Sequence, residues 1–410
     1  MKGVCKGGVN FTCNKKIIGA RSYGNAEENA RDETGHGTHT TSIAGGREVQ
    51  DVSFYDLTKG TARGGVPSSM IAVYKLCGAD DTCSGSNILA AFDDAITDGV
   101  DIITISIGGS NALEFLKDPI AIGSFHAMEK GILTSHSTEN SGPRPLSIAS
   151  VTPWLFSVAT SAIDLQFIDK LILGNENTII GKSVNTFPSN VTKIPIAHGT
   201  CFYNFGQKMV KGKIVLCDAR GYEPPVFKSG AFNIVSNVEE SISDMSFVSQ
   251  MPSINLDSKD YLIAQSYVKY TKFPVAEILK SEIFHDTTAP RIASFSSRGP
   301  NSIVLDIMKS DISAPGVDIL AAFSPLAPPS RHVSDTRKAS YNILSGTSMA
   351  CPHITGIVAY VKSFHPNWSP VTIKSAIMAT TKPVNDTYND LAGEFSYGSG
   401  NANPQLTVNP

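Results

Sequence analysis

The chain has 410 residues, 41% of them hydrophobic and 17% charged, enough apolar material for a large core and for one big domain with a smaller one beside it. Its formal net charge of −3 is spread without long single-sign runs, so no nucleic-acid or membrane-surface partner is expected. No stretch is apolar for long enough to span a bilayer, and the polar residues after Met1-Lys2-Gly3 give no hydrophobic signal segment.

In chain order, MIAVYKLC (residues 70–77) is a short apolar run suited to a buried strand. Ile88, Ala91, Phe92, Ala95 and Ile96 then recur at helical spacing and predict a helix that stops at Gly99. VDIITISI is a second buried strand, the stretch around Pro119 to Lys130 a second helix closed by Gly131, and ILTSHS a third strand. Strand, helix, strand, helix, strand predicts a parallel sheet covered by helices. Active sites in such sheets gather at the carboxyl ends of the strands. Between about residues 190 and 275 short β-branched runs such as KGKIVLC and FNIVSN stand among prolines and serines, which predicts an inserted, strand-rich domain. After SFSSRGPN the α/β character returns. Ala350, Ile354, Ile357, Val358 and Val361 form one apolar stripe on a helix from Ser348 to Phe364 that must end before Pro366. Ser369-Pro370 opens another helix.

Six of the cysteines fall in close pairs, Cys5 with Cys13, Cys77 with Cys83 and Cys201 with Cys217, leaving Cys351 alone. This suits three disulfides, although spacing does not establish connectivity, and none of the pairs is a CxxC zinc pattern. Glycosylation sequons stand at Asn10, Asn190 and Asn385, with a fourth at Asn367 weakened by Pro370. Together these features predict an extracellular, secreted protein whose export signal lies outside this sequence.

Three distant strings call for a common explanation: GHGTHTTSIAGG with His36 and His39, STENSGP with Asn140, and SGTSMACPH with Ser348. A serine becomes a nucleophile when a histidine takes its proton, and the resulting oxyanion needs fixed donors. Ser348 stands where glycine-rich backbone turns into a helix, at the positive end of the helix dipole. In isolation it would read as an ordinary N-cap; the whole string reads as a nucleophile. His36 and His39 at i, i+3 could share a metal, but the glutamate of HExxH and a third ligand are absent, so no metal or other cofactor is expected. His39 and His353 read as structural, and Cys351 as a packed thiol rather than a rival nucleophile. Asp32, Asp101 and Asp311 read as loop-orienting or capping residues.

These strings, with SIGGS, SFSSRGPN and DISAPGVDILAA, closely resemble the subtilisin-like serine proteases, specifically the cucumisin-like subtilases of plants. The resemblance covers essentially the whole chain, including ENSGP and PNWSPVTIKSAIMATT. It implies an α/β fold, a subtilisin-like parallel sheet flanked by helices in residues 1–189 and 276–410, with an inserted β-rich protease-associated domain at 190–275. By the same resemblance His36 is the general base, Ser348 the nucleophile and Asn140 the oxyanion side chain. Ser106, Ile107, Gly108 and Gly109 match the strand end that lines the cleft, where an extended protein or peptide substrate would pair. The implied reaction is acyl transfer to Ser348, then hydrolysis by water that His36 activates. An α/β-hydrolase esterase is disfavoured, because its elbow is GxSxG and its serine precedes its histidine.

Two departures carry expectations of their own. The family's third triad member is an aspartate in an Asp-Thr/Ser-Gly context well before the histidine, and that tripeptide occurs nowhere in the sequence. Asp32 stands too close to His36 to reach back to the ring. MKGVCKGGVNFTCNKKIIGAR resembles family sequence between that aspartate and the histidine, with Met1 in place of a usual tryptophan. FSYGSGNANP resembles YGAGHVNP, after which a β-sandwich follows in the family. The expectation is a chain truncated at both ends, with an exposed sheet edge. It is then a weak protease or an inactive relative that binds peptides. The second departure is STEN in place of the usual SAGN, which sets Glu139 beside the primary specificity pocket. There its carboxylate could narrow the pocket, favour basic side chains or turn outward.

Overall fold

In a computed structural model, which describes residues 3–24, 29–78, 82–188, 191–199, 201, 210–221, 223–384 and 393–410, hydrophobic period and turn chemistry set most of the element boundaries. The sequons at Asn190 and Asn385 lie outside the described residues; Asn10 and Asn367 are exposed. The chain runs through β1 (Ile17–Ser22), α1 (His36–Gly45), β2 (Val49–Phe54), β3 (Leu57–Ala62) and β4 (Ile71–Lys75). β4 lies parallel to β1, and β2 and β3 form a hairpin. Next come α2 (Gly85–Asp98), β5 (Ile102–Ile105), α3 (Pro119–Glu129), β6 (Leu133–Ser137) and β7 (Phe156–Ser161). Ser84 caps α2 by accepting from the Asn87 N–H, and Gly99 closes it in the left-handed region at φ 71°, where a side chain would be strained. Asp118 caps α3 and Pro119 occupies its first turn.

Residues 165–285 build a second sheet. Its strands are β8 (Leu165–Leu173), β9 (Thr178–Gly181), β10 (Ile194–Gly199), β11 (Ile214–Cys217), β12 (Asn233–Asn237), β13 (Ser253–Leu256), β14 (Val275–Ile278) and β15 (Glu282–His285). The order is β13-β12-β11-β10-β14-β8-β15, with β9 beside β8; α4 (Glu223–Lys228) and α5 (Ser258–Tyr270) lie between its strands in sequence. The core under this sheet includes Leu171, Ile214, Leu216, Val235, Ile254 and Tyr261. The sheet extends on both sides of 190–275, since β8 and β9 precede that segment and β15 follows it.

The chain then returns through β16 (Ile312–Pro315), the hairpin of β17 (Ile319–Ala322) and β18 (Tyr341–Leu344), α6 (Thr347–Phe364), α7 (Pro370–Ala379) and α8 (Glu394–Tyr397). β16, β7, β6 and β5 form a parallel sheet in that order. The apolar stripe of α6, with Ala350, Ile354, Val358 and Val361, packs on Leu133, Phe156, Val158, Ile312 and Ala314 of that sheet. α2 and α3 pack together through Phe92, Ile120 and Ala127 with Ile105 of β5, so helices cover the sheet as the alternation predicts, but the first expected strand departs from it: β4 pairs with β1 in a separate two-stranded sheet instead of with β5. Each buried aliphatic side chain of this kind contributes about 1.5–3 kcal/mol.

The disulfides join Cys5 to Cys13, Cys77 to Cys83 and Cys201 to Cys217, and Cys351 is free and buried. Among the described residues no helix is long and apolar enough to cross a membrane.

Candidate active site

His36 is the first residue of α1 and Ser348 the second of α6, and both are half-buried. The two helices pack against each other. Their approach depends on glycine: a Cβ on Gly356 of α6 would stand 3.0 Å from the Gly65 Cα and 3.2 Å from the Ala44 carbonyl. Ile43 of α1 and Met349 of α6 share one buried cluster with Ile319 and Ala321. Gly35, just before His36, has φ 83°, and a Cβ there would meet the Phe323 ring at 2.1 Å. Only glycine fits this turn.

One turn along α1, His39 is fully buried and its Nε2 lies 3.0 Å from the Ile319 carbonyl and 3.2 Å from the Asn342 carbonyl. Two acceptors require the proton on Nε2. Burial pushes its pKa down to about 3, against the pull of those carbonyls. His353 donates from Nδ1 to the Met349 carbonyl at 2.8 Å, and burial lowers its pKa as well. Asp32 gives its oxygens to α1: Oδ1 accepts from the Thr34 and Gly35 N–H groups at 3.1 and 2.8 Å, and Oδ2 from the Thr38 N–H at 2.6 Å. Burial alone would raise its pKa; the bonds from Thr38, Gly35 and Thr34 hold it below the ordinary value. Asp311 is likewise internal, accepting from Lys309 and Lys374 at 2.6 and 2.9 Å and from the Ser157 N–H at 2.8 Å. Asp101 is exposed beside β5.

The strand end after β5 meets the start of α6. Ser348 Oγ donates to the Ser106 carbonyl at 3.2 Å, and Ser106 Oγ donates to the Ser348 carbonyl at 3.3 Å. Buried His136 of β6 lies with Nε2 2.9 Å from the Ile107 carbonyl, while Gly108 and Gly109 are exposed. Asn140, after β6, reaches the same corner: its Oδ1 accepts from the Thr347 N–H at 2.9 Å and from Thr347 Oγ1 at 3.0 Å. A backbone N–H needs an acceptor, so this contact fixes which end of the amide is oxygen. Nδ2 then stands 3.7 Å from where a Gly346 Cβ would be. The first N–H groups of a helix have no intrahelical partner; here the Thr347 N–H goes to Asn140 Oδ1 and the Met349 N–H to the Gly346 carbonyl.

A family model described as the subtilase family, peptidase S8, matches residues 10–400. The chain belongs to the subtilase family. Among its relatives in Arabidopsis thaliana, subtilisin-like protease SBT4.8 is 48% identical over 410 residues, which is all of this chain and 56% of that protein. Subtilisin-like protease SBT4.4 is 49% identical over 429 residues and SBT4.6 is 50% identical over 431, again across all of this chain but 57% and 58% of those proteins. This subtilase chain therefore spans little more than half the length of the curated relatives it matches.

Glu139 of this subtilase has φ 75°, an uncommon backbone for a residue with a side chain. Its carboxyl turns over the strand end, where a Cβ on Gly108 would lie 2.7 Å from Oε1, and Ser137 Oγ donates to Oε1 at 3.0 Å. Burial raises its pKa to about 7 against the opposing hydrogen bond from Ser137. Among the described residues no group of three or more His, Cys, Asp or Glu side chains could hold a metal ion.

Sequence reasoning misses the residues that hold this corner in place. Thr347 is the partner of Asn140. Asp318 accepts from Ser345 Oγ at 2.9 Å and from the Ser246 N–H and Oγ at 3.0 and 2.8 Å, tying the loop before α6 to the segment between β12 and β13. No local pattern announces either contact, although Asp318 has φ 55°, a sign of a specialised turn.

Proposed function

We propose that this subtilase is a secreted serine endopeptidase that cleaves protein or peptide substrates, with Ser348 as nucleophile, His36 as general base and Asn140 as oxyanion donor. An extended substrate lies along Ser106, Ile107, Gly108 and Gly109, with Glu139 at the floor of the cleft. Ser348 Oγ attacks the scissile carbonyl carbon while its proton passes to His36, and the oxyanion is received by Asn140 Nδ2 and the Ser348 N–H. The C–N bond breaks as His36 returns the proton to the leaving amine. Water then attacks the acyl carbon as His36 takes its proton, and the C–O bond to Ser348 breaks as His36 returns that proton to Oγ.

The observation that supports this reading most is the Asn140 to Thr347 contact, which turns the amide N–H groups toward the Ser348 corner. Three disulfides fit an extracellular setting. We also propose that 190–275 is a protease-associated insert between peptidase segments 1–189 and 276–410, one whose sheet enlists β8, β9 and β15 from the flanking chain. Residues 1–410 alone should hydrolyse slowly, because the sequence holds no Asp-Thr/Ser-Gly segment and loss of the triad carboxylate costs on the order of 10⁴-fold in kcat.

The test is turnover of a mixed quenched-fluorescence peptide library by the full chain beside its Ser348→Ala and His36→Ala variants. Cleavage of wild-type origin that both variants abolish supports the reading. Peptide binding without cleavage overturns it in favour of an inactive relative that captures peptides.

A further inference from the structure

We propose that Glu139 reads the side chain of the substrate residue whose carbonyl Ser348 attacks, and that it selects a basic one. The proposal rests on the peptidase reading and names the substrate class of that site. Glu139 adjoins Asn140, and consecutive Cα atoms are about 3.8 Å apart. When the scissile carbonyl oxygen faces Asn140 Nδ2, the side chain one atom back from that carbonyl carbon falls within reach of residue 139. The backbone there is fixed: φ is 75°, and the Glu139 carbonyl accepts from the Ser297 N–H at 3.0 Å. That fixed backbone sends the carboxyl over Gly108, whose absent Cβ leaves the room it occupies. A carboxyl in that position leaves less space for bulky apolar groups, whereas the thin stem of lysine or arginine can bring its cation to the oxygens.

The neighbours leave the charge for the substrate to pair. Among the described residues no Lys, Arg or His acts on the Glu139 carboxyl. β6 contributes the Ser137 hydroxyl and His136, which is engaged with the Ile107 carbonyl and kept below its ordinary pKa by burial. The strand end contributes Gly108, the 294–298 segment the Ser297 N–H and buried Arg298, whose guanidinium is engaged with the Ala293 and Ser296 carbonyls, and α6 begins with uncharged Thr347 and Ser348. A half-buried carboxylate without a counter-ion is costly, and an incoming ammonium or guanidinium relieves that cost. Because its pKa is raised to about 7, the carboxyl is ionised at pH 8.5 and neutral at pH 5.5, so the preference for a basic side chain should fade as pH falls.

The experiment compares two peptides that differ only in arginine or its uncharged isostere citrulline before the cleaved bond, measured on the full chain at pH 8.5 and 5.5. The ratio of their kcat/KM values cancels any pH dependence the two peptides share. An arginine preference of about ten-fold or more at pH 8.5, shrinking several-fold at pH 5.5, supports the proposal. In Glu139→Gln the ratio should approach one and become flat with pH, and Glu139→Gly should gain cleavage after phenylalanine. A wild-type ratio near one at pH 8.5, or a preference unchanged between the two pH values, overturns it without recourse to any variant. Fluorophosphonate labelling of Ser348 in the same preparations separates the outcomes. A labelled chain indifferent to arginine overturns the role of Glu139 alone; a folded chain that neither labels nor cleaves overturns the peptidase reading and this proposal with it.

Discussion

Asn140 Oδ1 accepts the Thr347 N–H at 2.9 Å, one residue before Ser348 in the chain. The bond aims the amide nitrogen of a side chain from the β6 end at the start of α6. Removing one oxyanion donor, the role proposed for Asn140, costs roughly 10²–10³ in kcat. Asn140→Ala should therefore lower kcat by that factor with little change in KM. Thr347→Val keeps the backbone N–H and removes only the hydroxyl, so it should cost roughly ten-fold or less. Steady-state kinetics on one peptide checks both, and an Asn140 variant that raises KM while sparing kcat would assign this residue to ground-state binding instead.

His39 holds α1 to β17 and β18 through the Ile319 and Asn342 carbonyls. Its folded-state pKa is lowered to about 3, below the ordinary value near 6.5. At acid pH the unfolded chain therefore takes up a proton that the native fold refuses. The contribution is complete above about pH 6.5 and is lost as pH falls toward 3. His39→Gln should flatten that part of the pH dependence of thermal melting. His39→Ala should lower stability by about 2–4 kcal/mol through two stranded carbonyls and a void.

Asp169 on β8 is fully buried, with Oδ1 accepting from Ser281 Oγ at 2.7 Å and Oδ2 without a partner among the described residues. Burial raises its pKa to about 8, against the hydrogen bonds from Ser281 and Ser183. Here the sign is opposite to that of His39: the native state keeps a proton the unfolded chain gives up, so stability drains away as pH rises from about 4 to 8. Asp169→Asn mimics the protonated form at every pH. Its melting temperature should exceed wild type by a margin that grows across this range and levels off above pH 8.

Cys351 lies on the buried face of α6, with its thiol 3.4 Å from Ser135 Oγ and its pKa raised by burial. A thiol reagent should find no reactive group in the native protein and one per chain after unfolding without reductant. Two or more thiols released in that state would contradict the three disulfides. Cys351→Ser should leave peptidase kinetics within a few-fold of wild type.

The helices and parallel strands were legible wherever periodicity and end signals agreed, as with Asp118-Pro119 before α3 and Gly99 after α2. His36 and Ser348 were legible as candidates because their neighbours are glycines and small residues whose order is distinctive. Contacts between distant segments were not: Asn140 and Thr347 lie 207 residues apart, and nothing in either string names the other. β8 shows the same limit within one strand. LQFIDKLIL buries alternate residues as a strand should, yet one of the buried positions is Asp169, whose partner Ser281 arrives from beyond the insert. The reach of the second sheet past 190–275 was hidden for a related reason, since pairing of β14 with β8 depends on register between segments far apart in sequence.

Activation of Ser348 by His36 is tested most directly by the rate at which a fluorophosphonate labels the folded full chain, with the modified peptide located by mass spectrometry. The account predicts one label per chain on Ser348, none in Ser348→Ala, and a rate at least ten-fold lower in His36→Ala. Labelling that survives Ser348→Ala, or a rate indifferent to His36→Ala, would contradict it.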